Sequence, residues 1–392
     1  MGRTFHQACG KDVFVKVLFA IKRLAATAGG AERVLCTVCS ILAERGYEVV
    51  LVTFDSPGGS TFYPLDARVR RLDAGIGDSS SHARLGETWH RMRAIRQIVL
   101  EEKPNLVVGF MHSIYVPLAL ALVGTATPVL GSEHIVPEHY QSRRLEYLLL
   151  VLASFFLARM TVLSEAIKAR YPLPVRRRMV VMPNPVEIPV GQIPPEQVKL
   201  RRVLLNVGRL EDQKDQHTLL CAFGRVAAIF PDWDLRIVGD GSLRASLEMG
   251  VRELGLEGRV FLPGATADIA AEYRAADIFA LSSRYEAFGL VTAEAMSFGL
   301  PTLGFADCPG TNELIQHEQN GLLVPPGEDR TAGFAQGLAR LMRDSSLRHK
   351  LGDAGRSAVL NSYATARIGD LWEKLLADVC KTSKAQMGLP TS

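Results

Sequence analysis

Four charged side chains stand where they could handle an anionic ligand: Arg209, Lys214, Glu286 and Glu294. The densest stretch around them is Ser282 to Pro301, SSRYEAFGLVTAEAMSFGLP. A strand is expected to end at Ser282, and a loop then carries Tyr285, Glu286 and Ala287. A helix is expected from Phe288-Gly289 to Ser297, with Gly299 as its stop. A helix start offers unpaired N–H groups and the positive end of the dipole, which suits a phosphate. Gly289 would let that phosphate approach the backbone closely. Glu294 lies five residues further on, about 7–8 Å along the helix axis, a reach that fits a diphosphate followed by a ribose. One carboxylate can accept bonds from two adjacent ribose hydroxyls. Glu286, in the loop on the other side of the phosphate, would meet a sugar attached to it.

The second cluster is Asn206 to Asp215, NVGRLEDQKD, again after a strand. Arg209 and Lys214 project from this loop, and two cations there could neutralise a diphosphate and stabilise it as a leaving group. Taken singly, two glutamates eight residues apart, or a loop arginine and lysine, are ordinary surface features. A third turn, Gly29-Gly30-Ala31-Glu32-Arg33, suits phosphate approach but completes neither a GxGxxG nor a GxxxxGK[ST] pattern. Asp232-Trp233-Asp234 spells a DxD, but it follows Pro231 at the amino end of a strand, the wrong sheet edge for a ligand. No metal site is assigned. Cys36 and Cys39 form a CxxC inside an apolar helical stretch and read as core packing.

These loops need a frame. Strand-like segments at Val13–Ile21, Glu48–Phe54, Asn105–Phe110, Pro128–Ser132 and Met160–Ser164 alternate with helical ones such as Ala31–Arg45, which Gly46 ends. Five prolines between Met182 and Leu200, among them Pro194 and Pro195, break the rhythm and mark a linker. Alternation then resumes with strands at Arg202–Gly208, Asp234–Val238, Arg259–Leu262, Ile278–Ser282, Leu300–Gly304 and Gly321–Pro325. Helices are expected between them at His217–Phe230 and Leu243–Leu254. The expected fold class is α/β, two doubly wound halves, each a parallel sheet covered on both faces. Ligands then belong at the carboxyl ends of the strands. Asp55 to Arg84, with Gly58-Gly59-Ser60 and Ser79-Ser80-Ser81, reads as an irregular loop, either surface or substrate-facing.

Of 392 residues, 47% are hydrophobic and 22% charged, which excludes wholesale disorder. A net charge of +4 is too mild to argue for nucleic acid. The arginines are clustered, at 68, 70 and 71, at 91, 93 and 96, at 143 and 144, and at 176 to 178. These read either as solvated surface or as contacts to anionic lipid. Tyr147 to Ala158 is the longest apolar stretch, shorter than the ~20 residues a membrane span needs. It reads either as a core helix or as one lying on a membrane surface. Scattered cysteines and the lack of a secretory signal pattern fit the cytoplasm.

In order and spacing, these pieces resemble the retaining glycosyltransferases of family 4, which have the GT-B fold. The matching stretches are GGAERV, PNPV, VGRLEDQK, VGDG, VFLPG, EAFGLVTAE with AMSFGLP, and NGLLVPPG. The resemblance implies that Arg209 and Lys214 hold the donor diphosphate, Glu294 the ribose, and Glu286 the donor sugar. The backbone of Phe288, Gly289 and Leu290 would cradle phosphate, Pro263 to Ala265 would border the nucleobase, and Gly30 would approach the phosphates. His134, in VLGSEH, matches the family's pocket histidine, with His112 as its rival. The family often shows EGFG where this chain has Glu286-Ala287-Phe288-Gly289, and a glycine pair where it has Asp307 to Glu313, DCPGTNE.

On this footing residues 1–188 form an acceptor-side Rossmann-like domain and 189–363 a donor domain. Residues 364–392 would be a helix and tail crossing back to the first domain. The expected reaction is metal-independent sugar transfer with retention, needing no cofactor beyond the nucleotide-sugar donor. A UDP-sugar is the default and GDP-mannose the alternative. The expected acceptor is a lipid-linked saccharide at the inner face of the cytoplasmic membrane, in surface-glycan synthesis; the mean hydropathy of +0.11 also favours a membrane surface. Two other readings stay open, a sugar-nucleotide epimerase of GT-B fold and a non-catalytic sugar-nucleotide-binding protein.

Overall fold

The first strand, β1 (Lys16–Ala20), reads KVLFA and is buried from Val17 onward. Such an apolar run belongs in the middle of a sheet covered on both faces. The computed structural model describes residues 15–25, 29–77, 85–189 and 200–386. Residues 13–14 of the expected first strand, turn residues 26–28, Ser79 to Ser81, Pro194 and Pro195 with most of the expected linker, and tail residues 387–392 lie outside them.

The chain divides into two units, Met1–Pro185 with Thr365–Ser392, and Val186–Ala364. In the first, β1 is followed by β2 (Glu48–Thr53), β3 (Arg70–Asp73), β4 (Leu106–Phe110), β5 (Val129–Ser132), β6 (Arg159–Val162) and β7 (Met179–Val181). Their order is β3-β2-β1-β4-β5-β6-β7, all parallel. The order reverses between β1 and β4, the switch point at which such sheets bind ligands. β3 lies inside the stretch expected to be an irregular loop. Its sequence, RRLD, carries no apolar run because it is a short edge strand. Its arginines are also engaged: Arg70 pairs with Glu102, and Arg71 with Asp73.

The helix Thr365–Gln386 packs within this first unit. Trp372 stacks on Phe110 of β4 at 6.3 Å and meets Phe19 of β1 edge-on at 6.2 Å. Arg45 donates to Asp370, Glu373 and the carbonyl of Ala366.

The second unit holds β8 (Arg202–Val207), β9 (Trp233–Val238), β10 (Val260–Gly264), β11 (Ile278–Ala280), β12 (Thr302–Phe305) and β13 (Leu322–Val324). They are also parallel, in the order β10-β9-β8-β11-β12-β13. Successive residues feed opposite faces, as strand geometry requires. Leu204, Ile278 and Ala280 join one core cluster, while Leu205, Phe279 and Leu281 join another. The sheet is thereby gripped from both sides, and each large apolar side chain fully buried stabilises it by about 1.5–3 kcal/mol. Among the described residues no helix is long and apolar enough to cross a membrane.

Candidate functional site

In the second unit the order reverses between β8 and β11. The loops leaving these two strands are stitched together. Ser282 Oγ donates to the carbonyls of Lys214 and Asp215, Gln213 Nε2 to that of Tyr285, and Arg284 N to that of Gln213. Asp215 sits in the left-handed region, φ 48°, which turns the chain sharply into the helix Gln216–Ala227. The result brings Lys214 Nζ to 2.7 Å from Glu286 Oε1, and Ser283 Oγ to 2.6 Å from the same oxygen. Both charged side chains are largely buried, at 14% and 9% exposure. A pair so placed is held firmly by its surroundings, unlike an exposed surface ion pair.

Arg209 is placed differently. Its side chain is exposed and lies 3.0 Å from Glu211, so the loop presents it outward rather than to Glu286. Gly239 and Gly241, both at positive φ, let the turn after β9 press on this loop; a Cβ on Gly239 would fall 2.0 Å from the Gly208 carbonyl oxygen. Pro263 is exposed in β10, and the carbonyl of Gly264, the last residue of that strand, accepts from Gly239 N.

The helix expected after Glu286 spans Leu290–Ser297. Gly289 is its N-cap at φ 78°, ψ 45°, a conformation that favours glycine. The first-turn N–H groups have no acceptor within the helix. Phe288 is buried edge-on against Tyr363. The loop Asp307 to Glu313 forms the backing: Pro309 O accepts from Glu286 N, and Gly310, at φ 78°, lies flat against the backbone of Glu286 and Phe288. Glu294, one and a half turns along, is buried and accepts from Tyr273 Oη at 2.9 Å. Ser283 and Tyr273 are given no role by the sequence, and Gly310 only a place in the stretch where the family shows a glycine pair.

The first unit repeats the arrangement at β1 and β4. Gly30 opens the helix Gly30–Glu44, and among the described residues a Cβ there would meet nothing within 4 Å. Cys36 and Cys39, on the same helix, are buried, and burial pushes the Cys36 thiol up to about 11. Met111, between β4 and the helix His112–Ala121, holds φ 69°, ψ 147°, a strained conformation for a side-chain-bearing residue and a common mark of functional sites. His134 follows β5. Its Nε2 lies 2.9 Å from Ser132 Oγ, its ring stacks on Phe110 at 4.8 Å, and burial pushes its pKa down to about 4. His112 is also pushed down to about 4, by burial opposed by Glu146. Its Nε2 lies 3.5 Å from Glu146, and its ring lies 6.0 Å from that of His139. Both histidines therefore stand neutral at pH 7 at the ligand edge of their sheet.

The residue missed here is Glu133. It is buried, and its Oε1 accepts from the backbone N of His134 and Ile135, each at 3.0 Å. Its Oε2 accepts from Tyr115 Oη at 2.5 Å and Tyr140 Oη at 3.1 Å. One carboxylate thus clamps the His134 turn to the helix behind it. Burial raises its pKa to about 7 against these hydrogen bonds. The Asp232–Asp234 motif lies at the amino edge of its sheet, and Asp234 is occupied by Arg201 and Arg259.

Comparison with known proteins sets this geometry in context. The profile for glycosyl transferases group 1 matches residues 194–358, and that for glycosyltransferase family 4 matches residues 28–188. The chain is 27% identical to a glycosyltransferase of Haemophilus influenzae, over 89% of this chain and 97% of the other. It is 26% identical to a Campylobacter jejuni enzyme, over 93% of this chain and 99% of the other. That enzyme is an alpha-1,4-N-acetyl-D-galactosaminyltransferase named for a diphospho-undecaprenol-linked saccharide. The fold matches Anabaena HepE in complex with UDP and glucose, with TM-score 0.74, 21% identity, and 93% and 100% of the two chains covered.

Proposed function

The chain belongs to the group 1 glycosyltransferases and has their GT-B fold, and from that premise we propose which donor it takes and how it transfers the sugar. It works in glycan biosynthesis, as its relatives do. The donor is a UDP-sugar carrying a hexose or N-acetylhexosamine. The reading rests chiefly on one observation: the buried Lys214–Glu286 pair stands just ahead of an open helix start, with the buried Glu294 beyond it.

Lys214, Arg209 and the N–H groups at Phe288 to Leu290 draw charge onto the departing diphosphate, so no metal is needed. Glu294 accepts from the ribose hydroxyls, and Pro263 borders the base. Glu286 positions the sugar and stabilises positive charge developing at its anomeric carbon. The acceptor hydroxyl enters on the face the diphosphate leaves, which retains configuration, and the leaving phosphate takes its proton. Gly30 and the neutral His134 stand at the ligand edge of the first unit's own sheet, where an anionic or hydroxyl-bearing group would meet them. The acceptor is a lipid-linked saccharide at the cytoplasmic membrane face, a reading favoured by the Campylobacter relative's named substrate.

A thermal-shift panel tests the donor, because a ligand that binds only the folded chain raises its melting temperature. UDP-sugars are expected to raise it and GDP-mannose is not. The product's anomeric configuration, read by NMR, tests retention. Conversion of the sugar nucleotide without any acceptor would overturn transfer in favour of epimerisation.

A further inference from the structure

The helix Arg144–Ser154 buries only one side, through Leu150, Ala153 and Ser154. The core-helix reading of this stretch therefore fails. On the other side Leu145, Leu148, Leu149 and Leu152 are between 40 and 69% exposed, and so are Phe155 and Phe156 just past its end. Positions 145, 148, 149, 152 and 156 are spaced by three and four, so they form one stripe. Exposed leucines scattered singly are ordinary, but six large apolar side chains in one run mark a surface made to be covered.

The charge around the stripe selects its occupant. Arg144 at one end, and Arg159 and Arg177 beyond the other, are exposed. Residues 143–178 hold seven arginines and one lysine against two glutamates. A second copy meeting this face through a two-fold axis would set like charges against each other. An anionic bilayer offers acyl chains to the leucines and phenylalanines and phosphates to the arginines. The eleven-residue helix is far too short to cross a bilayer, so it would lie in the interface. Glu146, near the helix start, contacts His112 beside β4, so the stripe begins at the ligand edge of this sheet.

We infer that the stripe Leu145 to Phe156 is a docking surface for an anionic lipid bilayer. It deepens the reading of a lipid-linked acceptor, but vesicle binding decides the docking and transfer decides the acceptor.

The full chain is sedimented at low salt with phosphatidylcholine vesicles, with and without phosphatidylglycerol. Wild type is expected to follow the anionic vesicles and to be released by salt. Leu148→Ser with Leu152→Ser should lower that partitioning about tenfold or more, with an unchanged melting temperature and unchanged transfer to a water-soluble acceptor. Arg144→Glu should weaken it and flatten its salt dependence. If the double variant fails to fold, Leu148→Trp replaces it, and its fluorescence should shift to the blue on adding anionic vesicles. Equal sedimentation of wild type and a folded double variant overturns the inference. So does a wild type that ignores vesicles and forms a dimer that Leu148→Ser dissociates. If wild type binds no vesicles yet transfers to a lipid-linked acceptor, the docking inference alone falls. If vesicles bind but only soluble saccharides are glycosylated, the acceptor reading alone falls.

Discussion

Lys214 Nζ donates to Glu286 Oε1 across 2.7 Å, tying the loop after β8 to the loop after β11 at the point where strand order reverses. The two residues have separable tasks. Lys214→Ala should lower kcat/KM by about 10²–10³ and weaken donor binding, because it removes charge from the leaving diphosphate. Glu286→Gln keeps the shape and the Ser283 contact. It should cut kcat while leaving the dissociation constant for UDP within about threefold, since UDP lacks the transferred sugar for it to meet. Titration calorimetry with UDP, alongside steady-state kinetics, checks both. Equal loss of UDP affinity in the two variants would put Glu286 on the diphosphate instead.

Glu294 is assigned to the ribose, and the hydroxyls of the ligand can test that without reference to rate. Removing a hydrogen bond to a charged group costs about 1.5–3 kcal/mol, or roughly ten- to a hundredfold in affinity. Wild type should therefore bind UDP that much more tightly than 2′-deoxy-UDP. Glu294→Ala should bind the two alike. Tyr273→Phe removes the 2.9 Å hydrogen bond to Glu294, and its expected loss is smaller, about fivefold. If Glu294→Ala still discriminates as wild type does, the carboxylate is structural.

Glu133 supplies a stability measurement with a definite sign. Its folded pKa of about 7 lies above the ordinary 4.5, so the folded chain holds this proton more tightly than the unfolded one. Its contribution is fully present below about pH 4.5 and is lost as pH rises to about 7. His112 and His134, lowered to about 4 from 6.5, act oppositely, losing stability as pH falls through that window. The variant Glu133→Gln isolates the carboxylate, because the amide imitates the protonated form. Its melting temperature relative to wild type should climb between pH 5 and 7.5, by an amount on the order of 1–3 kcal/mol in stability. A difference independent of pH would mean that Glu133 stays ionised throughout.

These residues show what a sequence can and cannot disclose. Strands such as KVLFA announce themselves because burial on both faces demands an apolar run. RRLD does not, because an edge strand has no second neighbour and can be charged. Glu286 and Glu294 are legible as candidates through the loop and helix around them, a local pattern. Tyr273 lies 21 residues before Glu294 and belongs to another helix, so only the fold brings them together. Glu133 stands next to His134, yet nothing in its type betrays a buried carboxylate. The helix at Arg144–Ser154 has the composition of a core helix, and hydropathy does not say whether anything lies opposite.

The loop that departs from the family's glycine pair gives the last test. Gly310 has φ 78°, and a Cβ there would lie 2.7 Å from Glu286 O and 3.0 Å from Phe288 N. Gly310→Ala therefore carries two penalties, a positive φ and a clash with the turn that leads into the helix Leu290–Ser297. Gly258 has nearly the same φ, 77°, but nothing within 4 Å of where its Cβ would stand among the described residues. Gly258→Ala should cost only the backbone term, about 1–2 kcal/mol, and leave transfer intact. Gly310→Ala should cost more in melting temperature and also raise the KM for donor, because Glu286 and Phe288 must shift. Equal thermal losses with unchanged donor KM in both would show that the backing of Glu286 by Gly310 does not matter to the donor.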